Sequence, residues 1–147
     1  MWFRRFYQVI GTLVAAAFLC VIGLGLCAQK TSKLGALDGE RVFYLDSASS
    51  QGLRTEELSP LDIFRVKGES VRFARSGESE SALVARIRDT YGAELLFSEE
   101  IDGVTSYYCY TGAWDNGIAL GGVTVNLHIA VSETACAVGT PIIFDGF

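Results

Sequence analysis

The chain of 147 residues holds one histidine, two prolines and four cysteines, and each scarcity closes a set of options. With His128 as the sole imidazole, any Ser-His, Cys-His or histidine-metal mechanism has to run through that one residue. No Gly-rich phosphate loop followed by lysine, no Cys-x-x-Cys pair and no Gly-x-Ser-x-Gly elbow occurs, so the common nucleotide, redox and hydrolase signatures are missing. Few prolines and 50% hydrophobic residues argue against a collagen-like or disordered chain, and the length is that of about one domain.

What is present is unevenly spread. Residues 9–28 are 20 consecutive residues without a charge, enough to cross a hydrocarbon core of about 30 Å as a helix. Arg4 and Arg5 precede the run and predict a cytoplasmic N-terminus with everything after it outside. Trp2, Phe3, Phe6 and Tyr7 fall where amphipathic rings favour the headgroup layer. The run exceeds the roughly 7 to 15 apolar residues of a cleaved signal, and Leu26-Cys27-Ala28 is a poor cleavage site. Residues 1–28 therefore read as an uncleaved signal anchor, with a cleaved signal peptide as the alternative; Leu26 argues against lipidation of Cys27. The localisation expected is membrane-anchored with the C-terminal domain outside the cytoplasm, or secreted if the signal is cleaved. Beyond residue 28, 10 basic residues stand against 17 acidic ones, a net charge of −7. Such a surface repels nucleic-acid phosphates, and no nucleic-acid partner is expected.

Residues 29–61 read as a juxtamembrane linker holding a short strand at 41–45 and a mobile loop at 46–53, with one helical turn at 55–58. An α+β domain occupies 62–147. Its expected parts begin with a hairpin that faces Ile63, Phe64 and Val66 against Val71 and Phe73 across residues 67–70. Val84, Ile87 and Tyr91 recur at helical spacing ahead of Gly92, which predicts a helix over 79–91. Asp102-Gly103 predicts a tight turn between strands at 94–97 and 104–110. Strict alternation through 123–131 predicts one strand with Val123, Val125, Leu127, Ile129 and Val131 on its core face and Thr124, Asn126 and His128 on the other. Strands at 135–138 and 142–144, bent at 139–141, complete one helix packed on a mainly antiparallel sheet.

Cys109 and Cys136 lie beyond the apolar run, where an even pair invites a disulfide. In a simple meander they are two strands apart, about 9 to 10 Å, too far for a bridge. A disulfide, buried free thiols and a reactive cysteine all stay open. His128 has only Thr124 and Asn126 as alternation partners, which suits an ordinary sheet-surface imidazole. Glu99, Glu100 and Asp102 make an acidic hairpin tip without EF-hand spacing, so neither a metal nor another cofactor is expected. Tyr107, Tyr108, Tyr110 and Trp114, the last in a Gly-rich loop with Asn116-Gly117 expected as its turn, form the most suggestive surface. Exposed aromatics of this kind anchor protein interfaces, whereas buried ones only pack against the helix. The candidate partner-binding residues are therefore Tyr108, Tyr110 and Trp114 on that surface, or Asn126 and His128 on the outer face of the 123–131 strand.

Over residues 69–147 the helix at 79–91, the 94–110 hairpin, the strand Val-Thr-Val-Asn-Leu-His-Ile-Ala-Val at 123–131 and Gly-Thr-Pro-Ile-Ile at 139–143 resemble the YwmB-type proteins of spore-forming Gram-positive bacteria. Those proteins join an N-terminal membrane-targeting segment to a small α+β outer domain. The resemblance implies a fold similar to half of the TATA-box-binding protein, an extracytoplasmic setting linked to sporulation, and no catalytic residue. The expectation is a non-enzymatic, membrane-anchored module that binds a cell-envelope protein. The alternative is a small cell-envelope hydrolase using His128 with Glu99 or Asp115.

Overall fold

The first element is the helix α1 (Trp2–Thr31), apolar around its circumference through residues 9–26. Its section Arg5–Leu26, 22 residues, is long and apolar enough to cross a membrane, and none of it is buried against protein. At 1.5 Å per residue it measures about 33 Å, close to a hydrocarbon core. The computed structural model describes residues 2–46, 53–59 and 61–145. Most of the loop expected at 46–53 lies outside the described residues.

Beyond α1 stands a seven-stranded, wholly antiparallel sheet in the order β2-β1-β3-β9-β8-β5-β4. The strands are β1 (Glu40–Leu45), β2 (Leu53–Thr55), β3 (Val66–Ala74), β4 (Ala93–Ile101), β5 (Val104–Thr111), β8 (Leu127–Val131) and β9 (Ala135–Thr140). A separate hairpin pairs β6 (Ile118–Leu120) with β7 (Val123–Val125). The architecture is α+β, as the sequence predicts.

The helix α2 (Glu80–Tyr91) covers one face of the sheet. It starts at Ser79, whose hydroxyl accepts from the Ala82 N–H at 3.3 Å, and it ends at Gly92, whose N–H returns to Arg88 and Asp89. That glycine adopts a φ of 59°, the left-handed closure that other residues resist. Leu83, Val84 and Ile87 point inward onto Val71, Cys109, Leu127, Ile129, Val131, Cys136 and Val138. Period-two alternation puts those seven sheet side chains on a single face, which α2 covers together with Leu34 and Leu37. Asp102, at φ 52°, and Gly103 close the β4–β5 hairpin where the sequence predicts it.

Several elements differ from expectation. The stretch read as a linker contributes β1 to the sheet, and Leu34 and Leu37 to the core, because the polar groups of that turn find buried partners. Glu69 Oε1 accepts from the Leu34 N–H, while the Arg41 guanidinium donates to the carbonyls of Leu34 and Leu37 at 3.1 and 3.0 Å. Residues 67–70 are not a turn but the middle of β3, preceded by the 3-10 helix Asp62–Arg65. Gly68 pairs with β1, Glu69 and Ser70 pair with both β1 and β9, and Glu69 is drawn inward by Leu34 and Ser32. Thr55 ends β2 instead of opening a helical turn.

The long alternating strand breaks at Asn126 into β7 and β8. The turn of the Gly-rich loop is at Gly121 and Gly122, with φ of 59° and 83°, and not at Asn116-Gly117. Asn116 instead accepts from Lys33 at 2.5 Å and donates to Thr140 at 3.1 Å. Residues 142–144 form no strand. They fold back over the second face of the sheet, where Gly68 and Gly139 leave room: a Cβ on Gly139 would stand 2.8 Å from Ile142 and Ile143, and one on Gly68 2.8 Å from Phe144.

Candidate functional site

On the sheet face away from α2, alternation places Tyr108 beside His128 in the β5–β8 register, and Phe97 beside Tyr108 in the β4–β5 register. The three rings stack as a ladder. Tyr108 lies 4.5 Å from His128 at 16° and 4.5 Å from Phe97 at 21°. Phe97 arrives there because the β4 register shifts between Leu95 and Phe97; without that bulge the ring would point under α2. Tyr110, two residues on, shares the face and is 40% exposed. The Tyr108 hydroxyl donates to Glu99 at 2.5 Å, and its pKa is raised by burial and then by that carboxylate.

His128 is only 9% exposed. Its Nδ1 accepts from the Ile143 N–H at 3.3 Å, while Nε2 is buried without a partner among the described residues. Burial pushes its pKa down to about 4, so the ring is neutral at pH 7. The Nδ1 acceptor is therefore occupied by the C-terminal segment. Of the acids paired with it in the hydrolase reading, Glu99 accepts from Tyr108, and Asp115 sits 3.6 Å from Lys33 with its side chain fully in solvent.

The other aromatic candidates are set apart. Tyr107 faces α2 and donates to Glu80 at 2.6 Å; burial first, and Glu80 second, push its phenol up to about 12. Trp114 packs half-buried against the core, 5.3 Å from the Tyr91 ring, with the Lys33 ammonium 5.9 Å from its centroid. Asn126 is fully buried and works as a splice: its Oδ1 accepts from the Thr111 N–H and its amide donates to the Thr111 carbonyl, both at 2.8 Å. The structure thus brings Tyr108, Tyr110 and His128 together, and places Trp114 and Asn126 elsewhere.

Cys109 and Cys136 are free thiols with β8 between their strands. Both face α2, and burial pushes them up to about 11 and about 12, which keeps them as unreactive thiols at pH 7.

The same open face carries a feature with no sequence signal. A cavity of about 270 Å³ lies between the C-terminal segment and the outer strands, lined among others by Glu40, Arg54, Ser70, Arg72 and Asp145. Arg54 pairs with Asp145 at 3.1 Å, and Asp145 also accepts from the Tyr44 hydroxyl, so the segment is pinned at its far end. Phe144 rests on Tyr44 with centroids 5.0 Å apart. These residues are distant in the chain, and only strand order assembles them.

No protein-family model matches the chain, and no curated protein or solved structure matches it.

Proposed function

We propose that the chain is a membrane-anchored, extracytoplasmic binding module that recruits a cell-envelope protein and performs no catalysis. The observation that carries this reading is the ladder Phe97, Tyr108 and His128, continued by Tyr110, on a sheet face that α2 does not cover. Phe97 and Tyr108 are half-buried and Tyr110 is exposed, with His128 buried behind them, and flat aromatic surface of this kind is the material of interface anchors. The anchor function rests on the apolar section Arg5–Leu26, and the outward orientation on Arg4 and Arg5 ahead of it. The resemblance to YwmB-type proteins agrees with this setting and supplies the link to sporulation.

The hydrolase alternative has weaker support. His128 has an engaged Nδ1 and a depressed pKa, and both buried thiols lie on the opposite face of the sheet. A photo-crosslinking residue at Tyr110 in native membranes tests the binding reading against the same residue at Thr90, on the solvent side of α2. A discrete adduct from position 110, absent from position 90 and lost on Phe97→Ala, is expected. Equal labelling at both positions, or none at 110, refutes it.

A further inference from the structure

Two of the most exposed apolar side chains outside α1 lie three residues apart: Leu61 is 78% and Phe64 84% exposed. They belong to the segment of the 3-10 helix Asp62–Arg65, which packs beside α1. Among the described residues nothing covers them, and a phenyl ring held almost wholly in water is an unfavourable surface unless something else receives it.

The position of the membrane supplies that something. The apolar section ends at Leu26, and α1 continues to Thr31, five residues or about 7 Å further. That distance spans roughly one headgroup layer. Immediately afterwards the chain is fixed to the domain: Leu34 is buried and tied to Glu69, and Lys33 is tied to Asn116. There is no spacer that would lift the domain away.

Strand directions then decide which end of the domain faces the bilayer. Glu69 and Thr140 lie at the same end of the sheet as the start of β3, the end of β9 and the 3-10 helix. The β4–β5 tip at Asp102 and Gly103, and the turn between β8 and β9, lie at the other end. Lys33, Glu69, Asn116, Thr140 and Ile63 line one small cavity at the near end, which places the exit of α1 and the 3-10 helix side by side.

We propose that Leu61 and Phe64 form a second membrane contact, with their side chains immersed in the interfacial layer of the leaflet from which α1 emerges. The contact is apolar rather than ionic. The nearby cations are already paired, Arg65 with Asp62 at 3.7 Å and Lys67 with Asp46 at 2.7 Å, so a zwitterionic surface is sufficient. Together with α1 it gives two points of attachment and fixes the tilt at which the aromatic face is presented. The inference rests on α1 acting as an uncleaved anchor.

Nitroxide labels on the full chain in phosphatidylcholine vesicles test both attachments. Cys20 and Cys27 are replaced by alanine, Cys109 and Cys136 are buried, and single cysteines are placed as Phe64→Cys, Ile101→Cys and Val14→Cys. Ile101 is 62% exposed at the far end of the sheet, and Val14 is 64% exposed in the middle of the apolar section. Collision of the label at 64 with a water-soluble nickel chelate is expected to be severalfold lower than at 101, and collision with oxygen higher. A label at 64 as wet as that at 101, while the label at 14 is protected, overturns the second contact and leaves the anchor standing. A wet label at 14 overturns the anchor and the contact together. Spin-spin broadening at 64 that disappears on dilution with unlabelled chain assigns the patch to a second copy and also refutes the lipid contact.

Discussion

The two faces of the seven-stranded sheet are made from the same strands and closed by different means. The face under α2 is aliphatic and dry: Val71, Ile87, Leu127, Ile129 and Val138 are each completely buried. The other face is mixed. Ala130 and Ala137 are small and buried, Tyr108 and His128 stack, and the C-terminal segment 142–145, not a helix, covers the half nearest β1 and β3. The helix, with Leu34 and Leu37 beside it, seals its face by apolar area. A short segment seals a sheet only where glycines let it approach and where specific bonds hold it, here Ile143 on His128, Arg54 on Asp145 and Tyr44 on Asp145. The segment reaches as far as His128 and leaves open the part beyond it, with Tyr108, Phe97 and Tyr110, so the division between core and candidate binding surface depends on how far the segment reaches.

The contrast can be broken most directly on the dry face. Ile87→Ala removes a fully buried side chain beneath α2 and is expected to cost about 3 kcal/mol, as large-to-small core changes do. Urea unfolding of the full chain in mild detergent, followed by circular dichroism, measures it; a loss below about 1 kcal/mol would mean that α2 packs less tightly than its contacts require.

Acid sharpens the comparison from the other side. The folded His128 pKa of about 4 lies below the ordinary 6.5, so the unfolded chain binds the proton first. Stability therefore falls as pH is lowered from 6.5 towards 4, by at most roughly 3 kcal/mol for a shift of this size. Glu69 acts with the opposite sign. Burial holds its carboxyl above the ordinary range, so its contribution is full at low pH and declines as pH rises through the raised value. Urea midpoints at pH 7 and at pH 4.5 should converge in His128→Gln relative to the parent chain; an unchanged difference would place the acid response outside the open face.

At the corner between the faces, Asn126→Ala leaves the Thr111 N–H and carbonyl without partners and is expected to cost about 2 kcal/mol. Hydrogen exchange at the Thr111 amide reports it locally, with faster exchange expected. Smallest is Phe144→Ala, which removes a ring that is 48% exposed and one aromatic contact, for a loss of about 1 kcal/mol. If instead it proved as damaging as Ile87→Ala, the cover of the open face would be as much a core as the other side.

Legibility in the sequence tracked the range of the interactions. α2 could be read to within a residue, since its stripe, its Ser79 cap and its Gly92 stop are all local. The β4–β5 turn was equally plain at Asp102-Gly103. Residues 67–70 misled because Lys, Gly, Glu and Ser in succession resemble a turn, and only pairing with β1, joined at Glu69 and Ser70 by β9, holds them extended. Asn126 misled because alternation ignores a side chain that replaces a backbone partner. Alternation set Tyr108 and Tyr110 on one face of their strand and His128 on the outer face of another, but that these meet needed the β5–β8 register, and Phe97 needed the bulge, which no local pattern announces.

The sequence by itself determined the apolar helix, the acidic character of the residues beyond it and the α+β composition, because run length, charge and periodicity act over a few residues. Tertiary structure alone decided the rest: that β1 enters the sheet, that β8 stands between Cys109 and Cys136, that the chain end returns to cover His128, and that the 3-10 helix carrying Phe64 lies beside α1. Each of those is a meeting of segments far apart in the chain, and strand order, which sets who meets whom, is a choice among pairings that a local pattern does not distinguish.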